Sequence, residues 1–283
     1  MNRKIVLSKT MGFCFGVRRA LDLVEKALVE KDGGRVVTFG PIIHNSIVLD
    51  SLARRGVVVV HSLEELQDGD RVVFRAHGVP KSVSDQVKQA GYVVYDGTCP
   101  RVGKSQKIVH DYCKKGEAVC MTGDREHGEV IAVSSYGEGV SVLNNRKDAE
   151  SFEPSGPVLL ISQTTFSLPL FEEISSFLEK RCDERGFPFA RYNTICPATA
   201  ARQKALEELA SEVEAIVVVG GKNSSNTRRL YEAALRLVSR AWHIEDARGI
   251  VSEMADYRSI GITAGASTPD DIIFGVEAAL KAL

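Results

Sequence analysis

Short apolar runs rich in β-branched residues recur along the chain. They are KIVLS (4–8), RVVTF (35–39), VVVV (57–60), RVVF (71–74), YVVY (92–95), EAVCM (117–121), VSVL (140–143), VLLIS (158–162), FARY (189–192), AIVVV (215–219), AWHI (241–244) and SIGIT (259–263). Bounded by Gly, Pro, Asn or Asp, such runs predict buried strands. Helical patterns lie between many of them: Val17, Ala20, Leu21, Val24 and Leu28 fall on one face at 3.6-residue spacing. Alternating β and α segments predict an α/β fold with parallel or mostly parallel sheets and helices packed on them.

The pattern repeats three times. A cysteine opens a helical stretch at Cys14 in GFCFGVRRA, at Cys99 in DGTCPRVGKSQK and at Cys196 in NTICPATAARQK. Each is followed by a strand ending in a glycine and a polar loop: FGPIIHN (39–45), TGDREHGE (122–129) and GGKNSSNT (220–227). A later strand in each repeat ends in a second polar loop: RAHGVP (75–80), SQTTFS (162–167) and AGASTP (264–269). Such self-similarity predicts three related domains: residues 13–97, 98–194 and 195–283. The first two repeats hold four strands each and the last only three. KIVLS, which leads into Cys14, therefore predicts the missing strand, so that residues 1–12 complete the C-terminal domain and close a pseudo-threefold ring. Ligands of open α/β sheets bind beyond the carboxyl ends of the strands, so both loops of every repeat should face one centre, with the three cysteines.

Charge narrows the class. In 283 residues, 36 Lys and Arg stand against 37 Asp and Glu, with no basic block or acidic tail, so nothing points to nucleic acid or an anionic membrane surface. The start MNRKIVLSKT is too short and polar for a signal peptide, and no apolar run is long enough to span a bilayer. The expectation is a cytoplasmic protein. Six cysteines are too sparse for a disulfide framework.

Cys14, Cys99 and Cys196 share one place in the repeat, whereas Cys113, Cys120 and Cys182 have no counterparts and read as small core residues. Structural zinc takes four ligands, often as CxxC pairs, and the chain has no CxxC. Three equivalent thiols suit a four-iron, four-sulfur (4Fe–4S) cluster better, one per chain, with one iron left open. The positive end of a helix dipole favours thiolate at such places. A catalytic thiol with coincidental spacing is the rival reading. Among the loop residues, His44, Asn45, His77, His127, Gln163, Thr164, Ser224, Ser225, Asn226, Ser267 and Thr268 offer donors for an anion, many of them at helix N-termini. For any single Ser or Asn, plain helix capping explains the residue as well. His61, His110 and His243 lack such placement and read as structural. Glu129, in EHGE, is open to two readings: an acid held protonated in a closed pocket, or a surface glutamate opening EVIAV.

Taken together, GFCFGVRRA, GPIIHN, RAHGV, DGTCP, EHGEV, SQTTFS, NTICPATAARQ, GGKNSSNTRRL and GITAGASTP resemble the LytB family of 4-hydroxy-3-methylbut-2-enyl diphosphate reductases. The resemblance runs from Cys14 to about Pro269. It implies a trefoil of three α/β domains around a central iron–sulfur cluster held by Cys14, Cys99 and Cys196. It places His44, His77 and His127 in a diphosphate pocket, with Ser224, Asn226 and Ser267 binding the same group and Ser225 and Thr199 beside it. Glu129 matches the proton donor, and Thr164 the threonine that positions the substrate hydroxyl. The implied reaction is a two-electron reductive dehydroxylation of the allylic diphosphate to isopentenyl and dimethylallyl diphosphate, the last step of the non-mevalonate isoprenoid route. There is no GxGxxG or flavin motif, so electrons are expected from a ferredoxin or flavodoxin. Two positions depart from the family. Gly128 stands where a proline is frequent, and PRVGKSQK lacks the histidine often found after its lysine. Quinolinate synthase, which also places one cysteine in each of three related domains, is an alternative enzyme class, and an electron carrier or redox sensor a non-enzyme one.

Overall fold

A computed structural model describes residues 3–283; of the segment 1–12, positions 1 and 2 lie outside the described residues. The chain forms two compact units. One takes the chain up to Arg18, Ile43–Leu52 and Pro197–Leu283; the other takes Arg19–Ile42 and Ala53–Cys196.

The first unit holds one four-stranded parallel sheet. Strand β1 (Lys4–Leu7) comes from the N-terminus, and the C-terminal repeat supplies the rest. The second unit holds two more. Along the chain, helix α1 (Phe15–Glu30) leads into β2 (Val36–Phe39), α2 (Ser46–Arg54), β3 (Val57–Val60), β4 (Arg71–Phe74), α3 (Lys81–Gln89) and β5 (Val93–Asp96); most of α2 and the first residues of α1 belong to the first unit. Then follow α4 (Pro100–Cys113), β6 (Ala118–Thr122), α5 (Gly128–Ser134), β7 (Ser141–Leu143), α6 (Arg146–Glu150), β8 (Val158–Ser162), α7 (Leu168–Glu184) and β9 (Phe189–Arg191). The C-terminal repeat runs α8 (Pro197–Ala210), β10 (Ala215–Val219), α9 (Ser225–Leu237), β11 (Arg240–Ile244), β12 (Ser259–Ala264) and α10 (Asp270–Ala282). Every strand predicted from the hydrophobic pattern is present, with ends shifted by a residue at most.

The sheet orders are β3-β2-β4-β5, β7-β6-β8-β9 and β11-β10-β12-β1, and all pairings are parallel. Each repeat thus places its second strand outside the first and its third and fourth on the other side. β1 takes the fourth place in the last sheet, with Lys4 opposite Ser259 and Leu7 opposite Ile262. The N-terminal strand therefore does pair where the strand count predicted.

Both faces of each sheet are covered, which explains the unbroken apolar runs. In β10, Val217 and Val219 pack with Ile262, Ile273 and Val276 on one face, while Ile216 and Val218 pack with Leu206 and Leu230 on the other. In β8, Leu160 joins the cluster of Phe166, Phe171, Ile174 and Leu178, and Leu159 and Ile161 join that of Val102, Val109 and Val130.

The order fixes where loops emerge. The first and third strands of each repeat are neighbours, so the two polar loops of a repeat leave the same sheet edge side by side, at the topological switch point. Equivalent backbone bonds mark this place in all three sheets. The N–H of Gly40, Gly123 and Gly220 donates to Val60, Leu143 and Ile244 respectively, at 2.7, 3.1 and 2.9 Å. Among the described residues, no helix is long and apolar enough to cross a membrane.

Candidate functional site

The three cysteines occupy one local structure, repeated. Each immediately precedes the first residue of a helix, α1, α4 or α8. Each donates its N–H to a carbonyl of the loop after the third strand of a sheet: Cys14 to Ala266 at 3.1 Å, Cys99 to Ala76 at 3.0 Å and Cys196 to Thr164 at 2.8 Å. All three residues are reduced cysteines and partly exposed. Gly12, two residues before Cys14, has φ +75°, and a Cβ there would lie 3.0 Å from Asp270 Oδ1. This is a position for glycine on both counts.

The other cysteines differ in kind. Cys120 and Cys182 are buried in the apolar cluster under β6 and β8, and desolvation pushes both thiols up; Cys113 is pushed up by burial as well. Neutral core thiols of this kind are poor metal ligands. Cys14, Cys99 and Cys196, each at an equivalent helix start, have the donor chemistry that fits a thiolate-ligated group.

In the first unit, the loops after β10 and β12 build a nest of donors. Ser224 caps α9, accepting the Thr227 N–H at 3.3 Å, and is followed by Ser225 and Asn226; all three are buried. Asn226 Nδ2 is buried without a hydrogen-bond partner. Ser267 Oγ donates to the His44 carbonyl at 3.1 Å, which ties the loop carrying His44 to the one after β12. Thr199, in the first turn of α8, is buried in the same unit. Bare backbone surrounds the nest. A Cβ on Gly221 would lie 2.5 Å from the His44 carbonyl oxygen, and one on Gly265 would fall 2.0 Å from Thr227 Oγ1. Among the described residues, no buried polar side chain of this unit is acidic. An unspent amide donor such as Asn226 Nδ2 at a helix N-terminus, without a competing carboxylate, is what an anion requires.

The second unit carries the acid. Glu129 sits in the first turn of α5 and is 2% exposed, so it is no surface glutamate. Thr164 N–H donates to Glu129 Oε1 and Thr164 Oγ1 to Oε2, both at 2.6 Å. Desolvation raises the carboxyl's pKa above its ordinary value; the two Thr164 bonds oppose that shift without cancelling it. His127 caps α5, its Nδ1 accepting the Glu129 N–H at 3.2 Å. The His77 and His127 rings meet edge to face, 5.2 Å apart. The unit therefore joins His77, His127, Glu129 and Thr164 in one cluster, from loops after β4, β6 and β8. The structural reading of His243 also holds locally: its Nε2 bonds the Gly220 carbonyl at 2.9 Å, and desolvation lowers its pKa.

One residue, Thr227, escapes the sequence reading, and the loop candidates Thr268 and Gln163 prove to be structural as well as polar. Thr227 and Thr268 are fully buried in the nest, with Thr268 Oγ1 donating to the Val219 carbonyl at 3.0 Å. Gln163 is fully buried beside Thr164, its Oε1 accepting the Asp124 N–H at 3.1 Å. For Thr227 the available signal is its place at the end of the polar loop GGKNSSNT, in the first turn of α9.

Comparison with known proteins agrees with this geometry. The family described as LytB protein matches residues 5–281. The chain belongs to the LytB family. The 4-hydroxy-3-methylbut-2-enyl diphosphate reductase of Treponema denticola is 40% identical over 283 residues, covering 95% of this chain and 96% of the relative. That of Clostridium perfringens is 35% identical with both chains fully covered. A solved structure of (E)-4-hydroxy-3-methyl-but-2-enyl diphosphate reductase, the terminal enzyme of the non-mevalonate pathway, superposes with a TM-score of 0.72 at 35% identity, covering 99% of this chain and all of the other. The E-1-hydroxy-2-methyl-but-2-enyl-4-diphosphate reductase from Plasmodium falciparum gives 0.89 at 26% identity, covering 97% and 86%. Membership decides between the enzyme classes left open by the sequence, in favour of the reductase family.

Proposed function

We propose that the chain is a 4-hydroxy-3-methylbut-2-enyl diphosphate reductase of the non-mevalonate isoprenoid route, acting in the cytoplasm. The observation that carries this reading beyond family membership is the buried Glu129–Thr164 pair, a carboxyl with a raised pKa bonded twice to one threonine.

Cys14, Cys99 and Cys196 would hold a 4Fe–4S cluster, the centre of a trefoil whose three domains take residues 13–97, 98–194 and 195–283 with 1–12. When bound, the cluster supplies electrons and, at its open iron, Lewis acidity toward an oxygen. The chain's own residues do the rest. His44, Thr199, Ser224, Ser225, Asn226 and Ser267 bind the diphosphate, together with His77 and His127. Diphosphate binding anchors the part of the substrate that does not react, and its binding energy orients the part that does. Glu129 keeps a proton because ionising in a buried site is costly. Thr164 positions the substrate hydroxyl and relays the proton: its Oγ1 turns to accept from the protonated Oε2 and releases its own hydroxyl proton to the substrate oxygen. The C–O bond breaks and the oxygen leaves as water. Two electrons enter, and a second proton adds to carbon at either end of the allylic system. The products are isopentenyl and dimethylallyl diphosphate. The electrons come from an external carrier of the ferredoxin or flavodoxin type.

Cluster-loaded protein, kept anaerobic and given a chemical reductant with a viologen carrier, should convert the allylic diphosphate into both products. Intact substrate after prolonged incubation would refute the reading. Turnover with NADPH alone would refute the external carrier.

A further inference from the structure

Arg75 has no role in the reading above. It follows β4 directly, two residues before His77, and its side chain turns inward. Its Nε donates to the Gly78 carbonyl at 3.0 Å. Among the described residues, no carboxylate pairs with it, and desolvation alone pulls its pKa down. A guanidinium kept partly buried without a counter-charge is costly, so its position calls for an explanation.

Its surroundings give one. A Cβ on Gly128 would lie 2.6 Å from Arg75 Nη2, 2.8 Å from Cζ and 2.9 Å from Nη1; one on Gly40 would lie 2.9 Å from Nη1. The guanidinium is thus wedged between the bare backbones of two loop tips. Gly128 is the first residue of α5, standing between His127 and Glu129. Glycine at that place leaves the turn free to sample other conformations. Proline would restrict it by itself, and the local backbone is ready for one. His127 has φ −72° and ψ 132°, the region preferred before proline, and the first helical position suits proline well. With glycine there instead, the guanidinium fills the space and supplies the restriction.

We propose that Arg75 is a positioning residue for the acid-bearing turn: wedged between Gly40 and Gly128, its guanidinium fixes the backbone that carries His127 and Glu129. The proposal rests on the reading of Glu129 as the acid. It assigns Arg75 no contact with substrate.

The test compares four full-length proteins: wild type, Arg75→Ser, Gly128→Pro and the double variant. Two readouts are followed, steady-state kinetics of the cluster-loaded enzyme and amide hydrogen exchange over residues 128–131. Arg75→Ser should lower kcat about tenfold with KM within about twofold, the pattern of a misplaced reacting group. It should also speed exchange at Glu129 and Val130. Gly128→Pro alone should lower kcat through the clash with Arg75. The double variant, with the clash removed and proline as the restraint, should return to within about twofold of wild type, a strong departure from additivity. Unchanged kcat and exchange in Arg75→Ser would overturn the proposal, as would a double variant no better than the product of its singles. The exchange data decide this point even if wild type fails to reduce the allylic diphosphate, an outcome that sinks the functional reading instead.

Discussion

The two compact units use the same sheet order and the same loop positions for opposite chemistry. In the unit with the last sheet, the buried polar groups at the strand ends are amides, hydroxyls and backbone, and Asn226 Nδ2 stays unspent. In the other unit, the corresponding edge of the β6–β8 sheet buries a carboxyl and satisfies both its oxygens through Thr164. One sheet order carries unspent amide donors in one unit and a buried carboxyl in the other because the loop residues differ. The difference teaches that burial alone does not define function here. A buried amide such as Asn226 carries no charge to desolvate, whereas burial makes ionisation of Glu129 costly.

Several substitutions can break or sharpen this contrast. The largest effect is expected at the acid. Glu129→Gln preserves the shape and an acceptor for the Thr164 N–H but carries no transferable proton, so kcat should fall by about 10² to 10³ with KM little changed. A loss confined to KM would place Glu129 among the diphosphate-binding residues instead. Among those residues, Asn226→Ala should do the reverse, raising KM about tenfold through one lost charge-assisted hydrogen bond while kcat holds.

The cysteines give a contrast of their own. Cys14→Ser should remove the cluster absorbance yet leave the thermal midpoint of the cluster-free protein unchanged. Cys120→Ser should keep the cluster but cost about 2 kcal/mol of stability, because it buries a hydroxyl in an apolar cluster. Equal cluster loading in both variants would defeat the assignment of thiols.

The smallest effect is on stability with pH. A carboxyl whose folded-state pKa is raised binds its proton more tightly in the native protein. Its stabilising contribution is complete below the ordinary value of 4.5 and is lost as pH rises through the raised folded value. Denaturant titrations should therefore show Glu129→Gln gaining on wild type as pH rises above 4.5. A constant difference across that range would mean that Glu129 is already ionised.

Much of the fold was legible because it depends on patterns of short range. Four-residue apolar runs such as VVVV (57–60) became strands with the bounds expected. The strand count alone foretold that Lys4–Leu7 would pair with the last sheet. The positional equivalence of Cys14, Cys99 and Cys196 followed from the repeat, and the structure renders it as three matching backbone bonds. The state of Glu129 was not legible. It depends on Thr164, 35 residues away in sequence, which reaches the carboxyl only because β6 and β8 are adjacent strands. Local sequence carries no record of such proximity, so an acid and a surface glutamate looked alike. Arg75 was missed for a related reason. Its importance lies in what Gly40 and Gly128 lack, and a missing side chain shows only when its neighbour is seen.

The central claim is that Asn226 serves diphosphate binding and Glu129 serves proton transfer. Calorimetric titration of the allylic diphosphate into cluster-loaded wild type, Glu129→Gln and Asn226→Ala tests it most directly. The account predicts a wild-type Kd for Glu129→Gln and a Kd about tenfold weaker for Asn226→Ala. Weakened binding in Glu129→Gln with unchanged binding in Asn226→Ala would contradict it.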